Sequence, residues 1–361
     1  MNSQPSDNDI VVTQAFCELP NDEGDVYTLS TKKMEGGESS EHHVRFLPEI
    51  NLSSLDRKKS KRHTKLSYRV SLLLEQLLES SGLQPEVFSG PDSGFVSGSG
   101  YGCMSTTQGI HTTLRKDGPR KIDAIEFAKS THSYPLSING IKYQLLGPSV
   151  AIVSSEVAGV DAIQCAADWI KSDRCKRVLV VAYESFSPLL ADHVLTVNRE
   201  LNGCYSFIES ISVLLLERRA DVESRGGNIL ATIDGIKTFG GSGEDLKRQL
   251  LDSMMSIWRS RPSNSGVICC SHRNKKLCDL ENDVLTSFSE DRSFQCDSGS
   301  KQLYGESLGA SALLDLVYLL NSPRKSKTKD PDHWIINCLD TRRGGGVIGL
   351  TKGAEGFRET L

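Results

Sequence analysis

The sequence predicts a mixed α/β protein built from two repeated halves. Apolar, strand-like runs alternate with amphipathic, helix-like runs, and this alternation occurs twice along the chain. Several of the strand-like runs are apolar at every position, as a sheet covered by helices on both faces requires. We assign residues 1–217 to an N-terminal half and residues 218–361 to a C-terminal half.

The first half is predicted from apolar runs bounded by turn residues. Its strands are expected at 9–16, 94–96, 149–154, 177–182 and 210–217. A helix is predicted over 66–80, because its leucines and Val70 recur three or four residues apart before a stop at Gly82. The turn at 98–102 lacks the third glycine and the following acidic residue of a dinucleotide-binding loop.

The second half repeats this layout in outline. Its strands are predicted at 228–237, 266–270, 333–338 and 346–351, and its helices at 244–259, 276–288 and 307–321.

The composition limits the classes of function. The chain has 361 residues, 38% apolar and 24% charged, with a net charge of −4, which argues against wholesale nucleic-acid binding. We find no apolar run long enough to cross a membrane, and the polar N-terminus does not resemble a signal peptide. Ten cysteines without CxxC spacing predict reduced thiols in the cytoplasm, with no disulfide frame or zinc site. We expect no metal and no cofactor.

The stretch from Gly147 to Lys171 carries the strongest functional signal. It reads as a short strand that turns abruptly into a helix at 155–156, with Ser154 or Ser155 available as the N-cap. The first residues of such a helix have backbone N–H groups without intrahelical partners, at the positive end of the helix dipole. Enzymes place nucleophiles at such elbows, and here the elbow holds Glu156.

The elbow resembles a known family in its run of Gly, apolar, Asp, Ala and apolar residues at 159–163. It is similar to the active-site elbow of β-ketoacyl synthases, in the thiolase superfamily, where the strand leads into a catalytic cysteine. It resembles more closely the chain-length factor, the β subunit of type II polyketide ketosynthases, where glutamine usually replaces that cysteine. Glu156 departs from both patterns. The resemblance implies the five-layered α-β-α-β-α thiolase fold built from two duplicated halves.

The other catalytic positions of the family are also altered. The first histidine of the family lies in an H-G-T-x-T-x-x-x-D run, and counting back from Asp279 places Ser271 there, with His272 one residue away. The second histidine lies in K-x-x-x-G-H-x-x-G-A, and here Glu306 takes its place. The resemblance therefore implies that no catalytic residue remains, the degenerate positions being Glu156, Ser271 and Glu306.

The chemistry of condensation agrees with this loss. Condensation needs a thiolate that carries the acyl chain and imidazoles that polarise the thioester carbonyl. A carboxylate is a poor acyl carrier, because its acyl derivative is a labile anhydride. We expect Glu156 to fill the anion-binding hole at the helix N-terminus as a structural plug. The alternative is an acid–base cluster of Glu156, Glu306 and His272 that catalyses decarboxylation or hydrolysis.

Two further segments imply partners by resemblance. The segment between the Gly-Pro pairs at 118–119 and 147–148 contains a stretch, roughly 127–136, that corresponds to a helix at the heterodimer interface that closes the polyketide tunnel. Its candidate tunnel and interface residues are Phe127, Thr131, His132 and Tyr134, although ordinary packing explains each equally well. A basic run corresponds to the segment that docks the acyl carrier protein, and the alternative is a solvated loop. The candidate docking residues are Arg57, Lys58, Lys59, Lys61 and Arg62.

The sequence thus predicts a non-catalytic, chain-length-determining subunit in the cytoplasm. It would pair with a β-ketoacyl synthase and shape the tunnel for poly-β-keto chains on an acyl carrier protein. Two other hypotheses stay open at this point. One is a stand-alone enzyme that uses Glu156 and Glu306, and the other is a pseudo-ketosynthase partner in aryl polyene or fatty acid assembly.

Overall fold

A computed structural model describes most of the chain. The described residues are 6–28, 42–203, 205–260, 265–271, 273–289, 293–297, 299–321, 333–340 and 344–353. Its strands are β1 (Ile10–Glu18), β2 (Val26–Thr28), β3 (His43–Arg45), β4 (Ser93–Ser99), β5 (Ser149–Val153), β6 (Arg177–Glu184), β7 (Phe207–Ile208), β8 (Ser210–Arg218), β9 (Ala231–Gly240), β10 (Ser265–Cys269), β11 (Ser293–Asp297), β12 (His333–Asp340) and β13 (Gly344–Lys352). Its helices are α1 (Arg57–Arg62), α2 (Lys65–Ser80), α3 (Pro85–Phe88), α4 (Met104–Asp117), α5 (Ala124–Lys129), α6 (Tyr134–Tyr143), α7 (Ala158–Lys171), α8 (Pro188–Glu200), α9 (Arg219–Ser224), α10 (Glu244–Ser260), α11 (Lys275–Phe288) and α12 (Ser311–Asn321).

The main sheet contains the same five-stranded arrangement twice. Its strand order is β11-β10-β12-β13-β9-β1-β8-β6-β4-β5. From one edge to the middle of the sheet, the strands of the first half lie in the order β5, β4, β6, β8, β1. From the other edge, those of the second half lie in the order β11, β10, β12, β13, β9. In both halves the third strand along the chain is at the edge, followed by the second, fourth, fifth and first. The two halves meet where β1 pairs with β9 in antiparallel register, Val11 opposite Thr232. This repetition is the duplicated α/β architecture expected from the sequence.

The hydrophobic cores arrange the elements in five layers. The central core packs α7 and α12 against strands of both sheet halves. A second core packs α2 and α6 against the outer face of the first half, and a third packs α10 and α11 against the second half. The α-β-α-β-α fold is therefore confirmed. The division of the chain between residues 217 and 218 stays a prediction, with β8 ending at Arg218.

Local sequence explains where the main elements begin and end. The helix predicted over 66–80 is α2, and a capping box starts it: Thr64 Oγ1 accepts from Ser67 N at 3.0 Å, and Ser67 Oγ accepts from Thr64 N at 2.9 Å. All eight residues of β6 are buried, as its apolar sequence predicts. None of the described helices is long and apolar enough to cross a membrane.

Candidate functional site

The elbow at Glu156 is sharper than the sequence predicts. After β5 the chain forms a 3-10 turn over Ser155–Val157, and α7 starts only at Ala158. Ser155 has a φ of +59°, the left-handed region that a residue with a side chain rarely adopts. The prediction that Ser154 or Ser155 caps the helix is wrong, because Ser154 Oγ instead donates to Asp161 Oδ2 at 2.6 Å. The extra turn directs the Glu156 side chain toward the second half of the chain.

Arg273 joins Glu156 and Glu306. Its Nη1 lies 3.2 Å from Oε1 of Glu156, and its Nη2 lies 2.9 Å from Oε1 of Glu306. The side chains are 7% exposed for Arg273, 16% for Glu156 and 2% for Glu306. We call these three residues the Glu–Arg–Glu cluster.

The electrostatics of the cluster favour a charged arginine. Burial of the guanidinium opposes its charge, but the carboxylates of Glu156 and Glu306 outweigh burial and raise the pKa of Arg273. Glu306 Oε1 also accepts a hydrogen bond from Ser311 Oγ. The buried thiol of Cys338 donates to the backbone oxygen of Glu156 at 3.1 Å, and burial raises the pKa of that thiol to about 12. The cysteine nearest the elbow is therefore a protonated thiol at neutral pH and a poor nucleophile.

Ser271 is held apart from the cluster by its own hydrogen bonds. Its Oγ accepts from Leu339 N at 3.0 Å, and its backbone N–H donates to Glu281 Oε1 at 3.0 Å. It is 1% exposed and ties the end of β10 to β12 and α11. His272 lies outside the described residues. The structure thus brings Glu156 and Glu306 together through Arg273, a residue that the sequence reasoning passed over.

A further buried carboxylate, Glu184, lies outside the Glu–Arg–Glu cluster and joins two turns. Glu184 is 1% exposed and accepts from Gly100 N at 2.8 Å, Tyr101 N at 3.1 Å and Gly309 N at 3.2 Å, and from Ser99 Oγ at 3.1 Å. Burial raises the pKa of Glu184 to about 7, partly offset by these hydrogen bonds. The carboxylate thereby ties the turn after β4 to the turn before α12.

Little open space remains beside the cluster. The cavity lined by all three cluster residues measures about 40 Å³. Its other lining residues come mainly from α8 and the segment after it, with Tyr101 and Leu308. A water molecule needs roughly 10–15 Å³ by this kind of measure, so the cavity holds a few waters and no acyl chain. A larger cavity of about 970 Å³ lies elsewhere, lined by residues of α2, α4 and α5 and not by the cluster.

The candidate tunnel residues extend from Phe127 in α5 to Tyr134, the first residue of α6. Phe127 is 59% exposed, and Thr131 and His132 are also exposed. The backbone oxygen of His132 accepts from Tyr183 Oη at 3.0 Å. Tyr134 Oη donates to the backbone oxygen of Arg62, which connects this segment to the basic run.

The basic run forms α1 and the start of α2. Lys61 and Arg62 are exposed, and Lys65 pairs with Glu49 on the surface. The side chains of Arg57, Lys58 and Lys59 lie outside the described part of the chain. Within the described ranges, we find no group of three or more histidine, cysteine, aspartate or glutamate residues suited to a metal ion.

Comparison with known sequences identifies a family over half of the chain. Residues 11–191 match the profile of the N-terminal domain of β-ketoacyl synthases. A 95-residue stretch is 33% identical to 3-oxoacyl-[acyl-carrier-protein] synthase 2 of Coxiella burnetii, and it covers 26% of this chain and 23% of that protein. The matching stretch thus spans less than a quarter of this curated relative.

Solved structures resemble the fold over nearly the whole chain. A chain of a type II polyketide acyl-carrier protein in complex with its ketosynthase (AntDE:AntF) superposes with a TM-score of 0.79 at 15% identity, covering 96% of this chain and 99% of that chain. A β-ketoacyl synthase from Burkholderia phymatum gives 0.77 at 14% identity, with the same coverage. The ishigamide ketosynthase/chain length factor gives 0.72 at 17% identity, covering 95% and 99%. At these identities the likeness concerns the fold.

Proposed function

This chain belongs to the β-ketoacyl synthase family, and from that premise we propose that it is a catalytically silent, chain-length-determining subunit of a type II polyketide synthase. It pairs in the cytoplasm with a β-ketoacyl synthase that carries the catalytic cysteine. The observation that carries the proposal is the Glu–Arg–Glu cluster. Glu156 and Glu306, which the family resemblance aligns with the catalytic cysteine and the second histidine of a working synthase, are both ion-paired with Arg273.

The cluster also argues against the stand-alone enzyme. Each glutamate has a carboxylate oxygen in an ion pair with Arg273, and Glu306 is almost completely buried. The adjoining cavity of about 40 Å³ leaves no room for an acyl thioester or a malonyl group. A general acid or base must lie within hydrogen-bonding distance of the substrate proton, and a cavity of this size has room for only a few waters.

An exposed apolar edge supports pairing with a second subunit. β5 is the edge strand of the main sheet, and Val153 at its end is 41% exposed. Leu146 just before β5 is 71% exposed, and Ile141 on the neighbouring α6 is 73% exposed. Exposed apolar side chains along an unpaired strand edge favour association with another chain. We refer to Ile141, Leu146 and Val153 as the edge patch.

The proposed partners are a ketosynthase at the edge patch and an acyl carrier protein at the basic run. Tyr134 Oη donates a hydrogen bond to the backbone oxygen of Arg62. The candidate tunnel residues therefore lie next to the basic run proposed to dock the carrier protein. This proximity suits a subunit that receives a carrier protein and shapes the space for its growing chain. Phe127, Thr131, His132 and Tyr134 are the proposed tunnel and interface residues.

Co-purification tests the pairing. We expect the chain, expressed with the ketosynthase encoded beside it, to elute with that ketosynthase as a one-to-one complex, and to be poorly soluble alone. Obligate interfaces of this type bury about 2,000–5,000 Å². A stable, soluble monomer that ignores the co-expressed ketosynthase contradicts the proposal. A complex whose product is an aryl polyene or a fatty acid would favour the scaffolding alternative.

A further inference from the structure

Helix α4 lies over a large cavity that is separate from the Glu–Arg–Glu cluster. The cavity of about 970 Å³ lies between α4 and α5 on one side and the start of α2, the segment after β3 and the end of β6 on the other. The lining residues of α4 recur three or four residues apart and so share one face of the helix: Ser105, Thr106, Gly109, Ile110 and Thr113. No residue of α4 is buried. The inner face of α4 therefore borders open space and not the hydrophobic core.

The wall opposite α4 is apolar. Leu47, Leu66 and Phe186 line it, and all three are buried side chains of the hydrophobic cores. Ile110 and Ile122 add apolar surface from the side of α4 and α5. Sites for small organic molecules measure roughly 300–1,000 Å³, so the volume of this cavity suits a ligand. The apolar walls predict that much of that ligand is hydrocarbon.

The buried charged side chains that line the cavity already have partners within the protein. These residues are Arg69, Lys129, Glu184 and Glu209. Arg69 pairs with Glu18, and Lys129 Nζ lies 2.7 Å from Oε1 of Glu126. The two buried glutamates each accept hydrogen bonds from backbone N–H groups. A charged ligand would lose its water without gaining an unpaired counter-charge from these residues, so the lining favours an uncharged ligand.

Hydroxyl groups on α4 offer polar contacts to an uncharged ligand. Ser105 and Thr106 line the cavity, and neither side chain is buried. A hydroxyl group can rotate to donate a hydrogen bond to a carbonyl or ether oxygen. A hydrocarbon chain that carries uncharged oxygen acceptors therefore matches both the apolar wall and the hydroxyl groups of α4.

The rim of the cavity adjoins the basic run. Lys65 lines the cavity and is exposed, and Ser60 and His63 line it at α1 and just after α1. We propose that the cavity binds an uncharged chain of methylene and carbonyl groups, which enters beside the basic run and lies under α4. This inference rests on the proposed function for one step, the delivery of the chain by a carrier protein docked at that run. The chain would then be held within this subunit, away from the elbow.

Dye binding tests the cavity. The complex of this chain with its ketosynthase is titrated with Nile red, an uncharged dye whose fluorescence increases in apolar surroundings. Gly109→Trp places an aromatic ring in the cavity, since a Cβ at Gly109 would meet nothing within 4 Å. We expect this variant to bind Nile red about tenfold more weakly or worse, because the ring occupies the volume that the ligand needs.

Thr112→Trp is the matched control. Thr112 lies on the same helix, is exposed and does not line the cavity, so Nile red binding should match that of the wild type. Binding of the anionic dye anilinonaphthalene sulfonate should be equal in all three proteins, since the cavity disfavours a charged ligand. Equal Nile red binding by Gly109→Trp and the control overturns the inference. Weaker binding of the anionic dye by Gly109→Trp alone overturns it as well.

A competition experiment separates this inference from the proposed function. Octanoyl-carrier protein and free methyl octanoate, which carry the same acyl chain, are each used to displace Nile red from the complex. We expect the carrier-bound chain to act at the lower concentration, and Lys61→Glu with Arg62→Glu to remove that advantage at low salt. Failure of both chains to displace the dye overturns the inference. Displacement by methyl octanoate alone supports the cavity as a binding site and contradicts carrier docking at the basic run.

Discussion

Arg273 is the residue on which the altered site depends. Two largely buried carboxylates facing each other without a cation would be strongly unfavourable, because charge inside a protein must be paired. Removing one partner of a buried ion pair leaves an uncompensated charge, which costs more than the pair itself contributes. Glu156 and Glu306 can therefore share a largely buried site because Arg273 lies between them.

Replacing Arg273 with glutamine tests this dependence. We expect the free energy of unfolding to fall by about 3–5 kcal/mol, the usual cost of breaking a buried ion pair from one side. Urea denaturation of the variant measures it. Adding Glu306→Gln to the variant should restore part of the loss, since it removes one of the two unpaired carboxylates. Arg248→Gln is the control, because Arg248 is 72% exposed and pairs with Asp245 on the surface, so its effect should stay within about 0.5 kcal/mol. Equal stability of the Arg273 variant and the wild type would contradict the account.

Glu184 should make stability depend on pH in a predictable direction. In the unfolded chain its carboxyl titrates near the ordinary pKa of 4.5, whereas in the folded protein burial raises the pKa to about 7. The folded state thus holds the proton more tightly, and the free energy of unfolding decreases as pH rises from about 4.5 to about 7. A difference of this size amounts to about 3 kcal/mol.

Glu184→Gln should flatten that part of the pH profile, because glutamine does not titrate. Urea denaturation at a series of pH values between 4.5 and 8 provides the slope. The matched control is Glu75→Gln, whose exposed carboxylate pairs with Lys142 on the surface and should leave the slope unchanged. A Glu184 variant with the wild-type slope would show that this carboxylate is not the group that titrates.

At the level of residues, the sequence indicated the altered positions but not what replaced their chemistry. Motif spacing predicted that Glu156 and Glu306 belong to one site, and both side chains contact Arg273 in the structure. Arg273 carried no such signal, since the loop after β10 has no regular period. Charge pairing could have pointed to Arg273, because two acidic residues at one buried site require a nearby cation.

At the level of elements, apolar runs were predictable and polar helices were not. Strands β1, β6, β8 and β12 and helices α2, α10 and α11 lie close to their predicted bounds, because each buries a continuous apolar face. Helix α4 was not predicted, because it has no buried residue and therefore no periodic apolar face. The α7 start was misplaced for a different reason, since a 3-10 turn inserted at the elbow leaves no mark in the hydrophobic pattern.

Close packing of the elbow helix can be tested at one glycine. A Cβ at Gly98, in β4, would lie 2.5 Å from the backbone oxygen of Ala158 at the start of α7. Gly98→Ala should therefore push the strand and helix apart and lower the free energy of unfolding by about 1–3 kcal/mol. Thermal denaturation followed by circular dichroism measures the change.

The control for Gly98→Ala is a second glycine substitution that should increase the free energy of unfolding. Gly109 lies within α4, and a Cβ there would meet nothing within 4 Å. Gly109→Ala should raise stability by about 0.5–1 kcal/mol, because alanine is the better helix former. Equal effects at the two glycines would mean that the β4–α7 contact is looser than described.

At the level of the whole molecule, the edge patch should govern association. We expect Ile141→Glu combined with Leu146→Glu to weaken binding to the ketosynthase by about tenfold or more, because charges would be buried in an apolar interface. Analytical ultracentrifugation or surface plasmon resonance measures the dissociation constant. The control is Leu303→Glu, since Leu303 is 61% exposed but lies outside the edge patch. Equal binding by the edge-patch variant and the control would place the interface elsewhere.

The central claim is that this chain assists a synthase without performing chemistry itself. The most direct test measures chain elongation and malonyl decarboxylation by the complex with its ketosynthase, using carrier-bound substrates. With Glu156→Gln in this chain, the account predicts elongated product within about twofold of the wild type, since no proton transfer depends on Glu156. With the partner's catalytic cysteine replaced by alanine, it predicts no product. Product that survives loss of the partner's cysteine and disappears with Glu156→Gln, in a complex that remains assembled, would contradict the account.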